Sequence, residues 1–404
     1  MSRWLNRNVL GIGLADLAAD ANYEMVLAVL PLFITAGLGA PAFTVGLVEG
    51  VADGSSAAIK VWSGWYSDRI AWRKSLAVGG YAATGFGFAL LLVVSSWPQV
   101  LLSRAFAWIG RGLRQPIRSA MLAGSVEKPD LGKAFGLHEA MDTAGALIGP
   151  ATAFVLLSTH HGFRTVFAVA VIPAVLAFAL FAVLTRDPRK GLRTERPPGI
   201  KLPAPFWRLM LPIGVFGFGS FATAFFTLRV VQILQPELSA PAATAAAVGF
   251  YLAHNAVGTL VSFPAGWLAD RIGKVPVLAT AYLLFGLACG VAIVGHGWLA
   301  VAGLALLMGA QAPVVIAVEQ SLSGSLVEER ELGTAYGVLN GVNGAGDLAS
   351  SVVAGVLWMA SPAVAMGFGF VLSVTASAIL WTWHGPSSRS SAARMSESRP
   401  SSTA

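Results

Sequence analysis

The stretch GWYSDRIAWRK, from Gly64 to Lys74, returns as GWLADRIGK from Gly266 to Lys274, displaced by 202 residues in a chain of 404. A second pair, LGKAFG at Leu131 to Gly136 and LGTAYG at Leu332 to Gly337, is displaced by 201. Duplication at half the chain length is a severe constraint, because both halves must be able to adopt one architecture. Each copy of the longer motif closes an apolar segment with a small residue. An acid-base pair follows, Asp68-Arg69 or Asp270-Arg271, and then further cations. That is where charge belongs just outside a membrane.

Composition agrees. With 55% hydrophobic and 12% charged residues, the chain carries roughly half the charge usual in a soluble protein. A helix crossing lipid needs about 20 apolar residues. Segments of that kind fall at about 9 to 36, 42 to 65, 76 to 95, 99 to 123, 132 to 158 and 165 to 184, then at about 209 to 234, 244 to 268, 276 to 294, 298 to 320, 332 to 357 and 363 to 383. Strand-type alternation is absent. The expected fold is an all-α membrane protein of twelve transmembrane helices in two pseudo-symmetric six-helix bundles. Residues 1–184 form the first bundle, 185–208 a Pro-rich and basic cytoplasmic linker, 209–383 the second bundle, and 384–404 a Ser- and Arg-rich tail expected to be disordered. Asp16 and Asp20 interrupt the only segment that could serve as the core of a cleaved signal peptide.

The net charge of +7 reports topology rather than nucleic-acid binding. Of 27 Lys and Arg residues, 20 lie in the loops and ends on the N-terminal side of the membrane, and the opposite loops hold only Arg164. The positive-inside rule then puts both termini and the linker in the cytoplasm. A single Cys289 excludes an internal disulfide framework. No Cys or His cluster has ligand spacing, so no metal site is expected, and His138 and His254 read as core histidines. No phosphate-binding G-x-x-x-x-G-K-(S/T) loop occurs, so ATP is not the expected energy source. Neither a cofactor nor an enzymatic site is expected.

Charges inside the spans need a different explanation. The first half places seven acids and five bases there, and an unpaired charge near a helix centre costs roughly 3 kcal/mol. They must therefore be paired, protonated or wetted by a cavity. Helical spacing arranges them in stripes: Asp16, Asp20 and Glu24 on the first span, Glu49, Asp53 and Lys60 on the second, Arg104, Arg111 and Arg118 with Arg114 beside them on the fourth, and His138 and Asp142 with Glu139 on the fifth. Measured from the cytoplasmic loops, Asp20 is level with Asp53, Glu24 with Glu49, and Arg114 with Asp142. Facing acids raise one another's proton affinity, so Asp20, Glu24, Glu49 and Asp53 are the expected proton-coupling group. Asp16, nearest the cytoplasm, reads as wetted by it. Arg114, Arg118, His138, Glu139 and Asp142 read equally well as an inter-helix charge network. In the second half, Asn340 and Asn343 stand where the first has Glu139 and Asp142.

The paired loops resemble the G-x-x-(S/A)-D-R-x-G-(R/K)-(R/K) loop between the second and third spans of each half in the major facilitator superfamily, with Ala71 and Trp72 departing from it in the first copy. GALIGP, at Gly145, Gly149 and Pro150, resembles the G-x-x-x-G-P motif of that superfamily's drug and metabolite exporters; the second half has Gly346, Ser350 and Ser351 instead. The resemblance implies two bundles about a central cavity lined by spans 1, 4, 7 and 10, where Arg104, Arg111, Arg229, Gln311 and Glu319 would meet substrate. It also implies that Gly64, Asp68, Arg69, Gly266, Asp270 and Arg271 form gating loops, with Asp68 near Gly333 and Asp270 near Gly132. The expected function is proton-coupled export of a small organic molecule by a monomer in the plasma membrane. Proton-driven import of an organic anion bound by the fourth-span arginines is the alternative, and a non-transporting receptor on the same fold a third.

Overall fold

The computed structural model describes residues 4–40, 43–70, 72–159, 161–187 and 201–382. Ala71, most of the 185–208 linker and the 384–404 tail lie outside them. Helices account for nearly all of the rest. The first half comprises α1 (Arg7–Leu32, continued by a π turn at Phe33–Gly37), α2 (Phe43–Ser67), α3 (Arg73–Leu90), α4 (Trp97–Ala123), α5 (Leu131–Ser158) and α6 (Phe163–Leu184). The second comprises α7 (Ala204–Gly219), α8 (Thr223–Leu234), α9 (Ala240–Ile272), α10 (Lys274–Val294), α11 (Gly297–Leu326), α12 (Leu332–Ala360) and α13 (Pro362–Thr382). Among the described residues, six helical segments are long and apolar enough to cross a bilayer by composition alone, two in the first half and four in the second. The imbalance follows from the charge stripes, which lower the hydropathy of the first-half helices.

Local chemistry sets the helix ends. The Asn6 side chain accepts from the amides of Asn8 and Val9, satisfying two donors that open α1. Between α9 and α10 the chain turns on Gly273 at φ +106°, a left-handed conformation that favours glycine. The second-half motif has that glycine and the first has Ala71 in its place.

The expected seventh span is broken. Ser220–Ala222 separates α7 from α8, and α12 covers the opened backbone: the Ser350 hydroxyl donates to the Ser220 carbonyl at 3.0 Å, and the Ala222 amide donates to the Ser351 hydroxyl at 3.4 Å. An unwound turn at membrane depth needs such partners, since lipid supplies none. Gly346, one helical turn earlier, packs backbone to backbone against Gly217. So the residues standing where the second half lacks the G-x-x-x-G-P copy hold the break in α7. In the first half, Gly145 and Gly149 sit against the α1 backbone at Leu17, Ala21 and Met25, and α5 runs unbroken through Pro150.

Candidate functional site

The two halves meet at the end of the bundle that carries the basic loops, through two equivalent seams. Asp68 accepts from the amides of Gly333 (3.0 Å) and Thr334, and Asp270 from those of Gly132 and Lys133, both at 2.9 Å. Each carboxylate thus caps the N-terminus of a helix in the other half, where exposed N–H groups and the helix dipole favour an anion. Asp68 is further held by an ion pair with Arg73. Behind each cap the backbones touch. A Cβ on Gly64 would collide with Gly333 and Gly337, and one on Gly266 with Gly132 and Gly136. Arg69 and Arg271 do not cross the seams: each lies over a tryptophan one turn back on its own helix, Trp65 at 3.7 Å and Trp267 at 3.8 Å.

Deeper in the first half, Asp16 is the hub of the charge network. It is fully buried; Arg118 lies 2.6 Å from one oxygen and Arg114 3.5 Å, Tyr81 donates to that oxygen at 2.7 Å, and His138 Nε2 is 2.7 Å from the other. Four helices converge on one carboxylate. Asp16, His138 and Asp142 also bring potential ligand atoms within 4.8 Å of one another. Two guanidiniums on the same aspartate make that trio an ion-pair network with no place for a metal cation.

Arg111 lies among Asp20, Glu24 and Asp142, with the rings of Tyr23 and Trp108 at 4.5 and 5.2 Å. Asp20 in turn neighbours Glu24, Glu139 and Asp142. Across the seam, the hydroxyl of Tyr251 on α9 reaches the Glu24 carboxylate. The side chains of Glu49 and Asp53 lie outside the described residues.

The second half builds its own buried acid. Glu319 is 1% exposed and accepts from the Tyr282 hydroxyl at 2.6 Å and from Asn343 Nδ2 at 2.8 Å. Tyr282 is the repeat counterpart of Tyr81, Asn343 of Asp142, and Glu319 of Arg118. Phe216 lies flat on Tyr282, ring centroids 3.8 Å apart. Between the halves is a cavity of about 390 Å³. Its first-half wall includes Lys60, Arg111, Arg118, His138, Glu139 and Asp142; its second-half wall includes Phe216, Phe221, Phe285, Gln311, Glu319 and Asp347.

The sequence profile of the Major Facilitator Superfamily matches residues 12–261 and 230–403. The chain belongs to that superfamily. An "uncharacterized MFS-type transporter" from Methanocaldococcus jannaschii is 28% identical over 385 residues, covering 94% of this chain and 95% of that one. Among solved structures, the human organic anion transporter MFSD10 superposes with a TM-score of 0.74 at 16% identity, over 93% of this chain and 99% of that one. A bacterial homologue of the iron transporter ferroportin, in an outward-facing state, gives 0.76 at 14% identity, with the same coverage. These likenesses carry the fold: a membrane transporter of two six-helix halves about a central cavity.

Within this superfamily transporter, several expected positions need correction. Asp16 is not wetted; it anchors four helices. Arg104 is absent from the cavity wall and fully buried, its guanidinium 3.7 Å from the Trp108 ring and 5.8 Å from Tyr23 and Phe88. The aromatic residue one turn along the same helix holds it there. Arg229 is also absent from the wall, because it donates to the Ala292 and Ile293 carbonyls at the C-terminal end of α10, where a cation complements the helix dipole. Arg111, Gln311 and Glu319 do line the cavity. So do Arg118, His138, Glu139 and Asp142, while Arg114 stacks 4.1 Å from Tyr81 behind the wall. Tyr81 itself went unread in the sequence, although its recurrence as Tyr282 at the repeat spacing was the available signal.

Proposed function

We propose that the protein is a proton-coupled secondary transporter that exports a small organic molecule by alternating access. The observation that carries this reading is an excess of acid over base beside the cavity. Asp16 engages Arg114 and Arg118, which leaves three bases, Arg111, Arg104 behind Glu24 and Lys60 in the wall, for the four carboxylates of Asp20, Glu24, Glu139 and Asp142. Carboxylates crowded beyond their supply of cations share protons and titrate as a group. Movement of Arg111 toward or away from them would then favour release or uptake. Asp20 and Glu24 are the assigned carriers, with Glu49 and Asp53 on the facing span.

Export is favoured over organic-anion import because the fourth-span arginines already face carboxylates or aromatic rings. The basic end faces the cytoplasm by the positive-inside rule, the membrane is the plasma membrane, and the working unit is a monomer. The test is transport in reconstituted vesicles with and without an imposed pH gradient. Asp20→Asn and Glu24→Gln should each abolish gradient-driven accumulation while leaving substrate exchange measurable. Accumulation indifferent to the pH gradient in the unaltered protein would refute proton coupling. Normal pH dependence in both variants and their double would move the coupling site to His138 and Asp142.

A further inference from the structure

Asp16 and Glu319 are both buried carboxylates that accept a tyrosine hydroxyl from the third span of their own half, Tyr81 at 2.7 Å and Tyr282 at 2.6 Å. Their remaining partners differ in kind. Asp16 faces two guanidiniums and an imidazole, whereas Glu319 has only the neutral amide of Asn343 and, among the described residues, no ion pair. A buried carboxylate in that position is neutralised by a proton or by a cation from outside the protein.

The surroundings of Glu319 favour a ligand cation. Asp347, from α12, is the charged group beside it, so the α11 and α12 side of the cavity presents acid alone. From α4 and α5, Arg118 and His138 line the opposite wall but are bound to Asp16; Arg111 there lies among Asp20, Glu24 and Asp142, Glu139 is another acid, and Lys60 of α2 faces the same cavity. Gln311, two turns from Glu319 on α11, lines the cavity, is 3% exposed and makes no hydrogen bond among the described residues. Gln115 of α4, in the wall of the same cavity, likewise leaves its Oε1 without a partner, and polar groups inside a protein are ordinarily hydrogen-bonded, so the cavity holds amide groups for a ligand to meet. Phe216, Phe221 and Phe285 complete the wall with apolar and π-rich surface, which suits the body of a cationic molecule.

We infer that the second-half wall is a subsite for a substrate's positively charged group, an organic ammonium on an aromatic or aliphatic body, bound by Glu319 and oriented by the Gln311 carbonyl. This rests on the transport reading only in taking the ligand as cargo, and its test needs no gradient. Purified full-length protein in detergent is titrated calorimetrically with 2-phenylethylammonium and n-hexylammonium, and with 3-phenylpropionate as the anionic counterpart. Both ammonium ions should bind, the carboxylate should not, and Glu319→Gln should weaken ammonium binding by roughly tenfold to a hundredfold, the loss expected for a charged hydrogen-bonded pair. Gln311→Leu should weaken it less. Glu319→Asp, which keeps the charge, should retain most of the binding and serves if Glu319→Gln does not fold. Absence of ammonium binding, tighter binding of the carboxylate, or unchanged affinity in Glu319→Gln would each overturn the assignment. Vesicle transport indifferent to pH would overturn proton coupling and leave this result standing.

Discussion

The Ser119 hydroxyl donates to Gln320 Oε1 at 3.0 Å, although the two residues hold equivalent places in the two halves, 201 positions apart. Equivalent positions of a duplicated fold touch each other only next to the axis that relates the copies. This pair therefore marks the pseudo-twofold axis, and the seams of Asp68 and Asp270 flank it.

Asp68→Asn should loosen one seam. The amide keeps an acceptor for Gly333 or Thr334 but loses the charge facing the helix terminus and Arg73. Hydrogen bonds to a charged group are worth about 1.5–3 kcal/mol, so a several-fold faster reaction of a cysteine at Ser119 with a thiol reagent from the basic end is expected. Asp270→Asn should do the same. Cys289, fully buried, adds little background. Unchanged labelling rates in a folded variant would count against the seam as a gate.

Gly266→Ala should strain the other seam without touching a charge. The added methyl would collide with the Gly132 carbonyl, and overpacking of this kind costs about 1–3 kcal/mol. The expected result is a lower unfolding temperature together with greater access at Ser119. An ordinary unfolding temperature with ordinary access would mean that the helices separate at no cost.

Asp16→Asn removes the anion from two buried guanidiniums. Breaking a buried ion pair on one side costs about 3–5 kcal/mol, whereas Tyr81→Phe forfeits a single hydrogen bond to the charged carboxylate, about 1.5–3 kcal/mol. Denaturant unfolding in detergent should rank them in that order. Equal losses would demote Asp16 from its central place.

Cysteines at Glu329 and Gly162, both exposed and at opposite ends of the bundle, should be labelled from opposite faces of the membrane, the first from the cytoplasm and the second from outside. Labelling of both from one face would overthrow the proposed topology.

The order and place of the helices were legible in the sequence, because bilayer thickness dictates the length of an apolar run; their ends were less so, since α3 stops at Leu90 against an expected 95 and α11 runs on to Leu326 against 320. The repeat placed Asp68 near Gly333 and Asp270 near Gly132 through the family loop, and the hydrogen bonds lie there. Rotation of a helix about its own axis was far less legible. Asp16, Asp20 and Glu24 share one stripe, but spacing alone could not say that Asp16 turns into Arg118 and His138. Arg104 and Arg111 likewise share a stripe, and Trp108, a turn from the first, draws it out of the cavity. The break at Ser220–Ala222 has no proline or charge to mark it, only the Gly219-Ser220 pair; the groups that satisfy the opened backbone, Ser350 and Ser351, lie far away in sequence on α12. Asp16, His138 and Asp142 come together from distant positions, which no ligand-spacing rule would join.

The turn that divides α7 from α8 makes the seventh span a jointed lever. Its second arm is tied by Arg229 to the end of α10, while α7 is held to α12 through Gly217 and Gly346. The unwound turn between the arms carries Ser220 and Phe221, both in the cavity wall. A molecule seated against Phe221 would therefore bear on the one point of this span that lacks helical hydrogen bonds, where the backbone resists bending least.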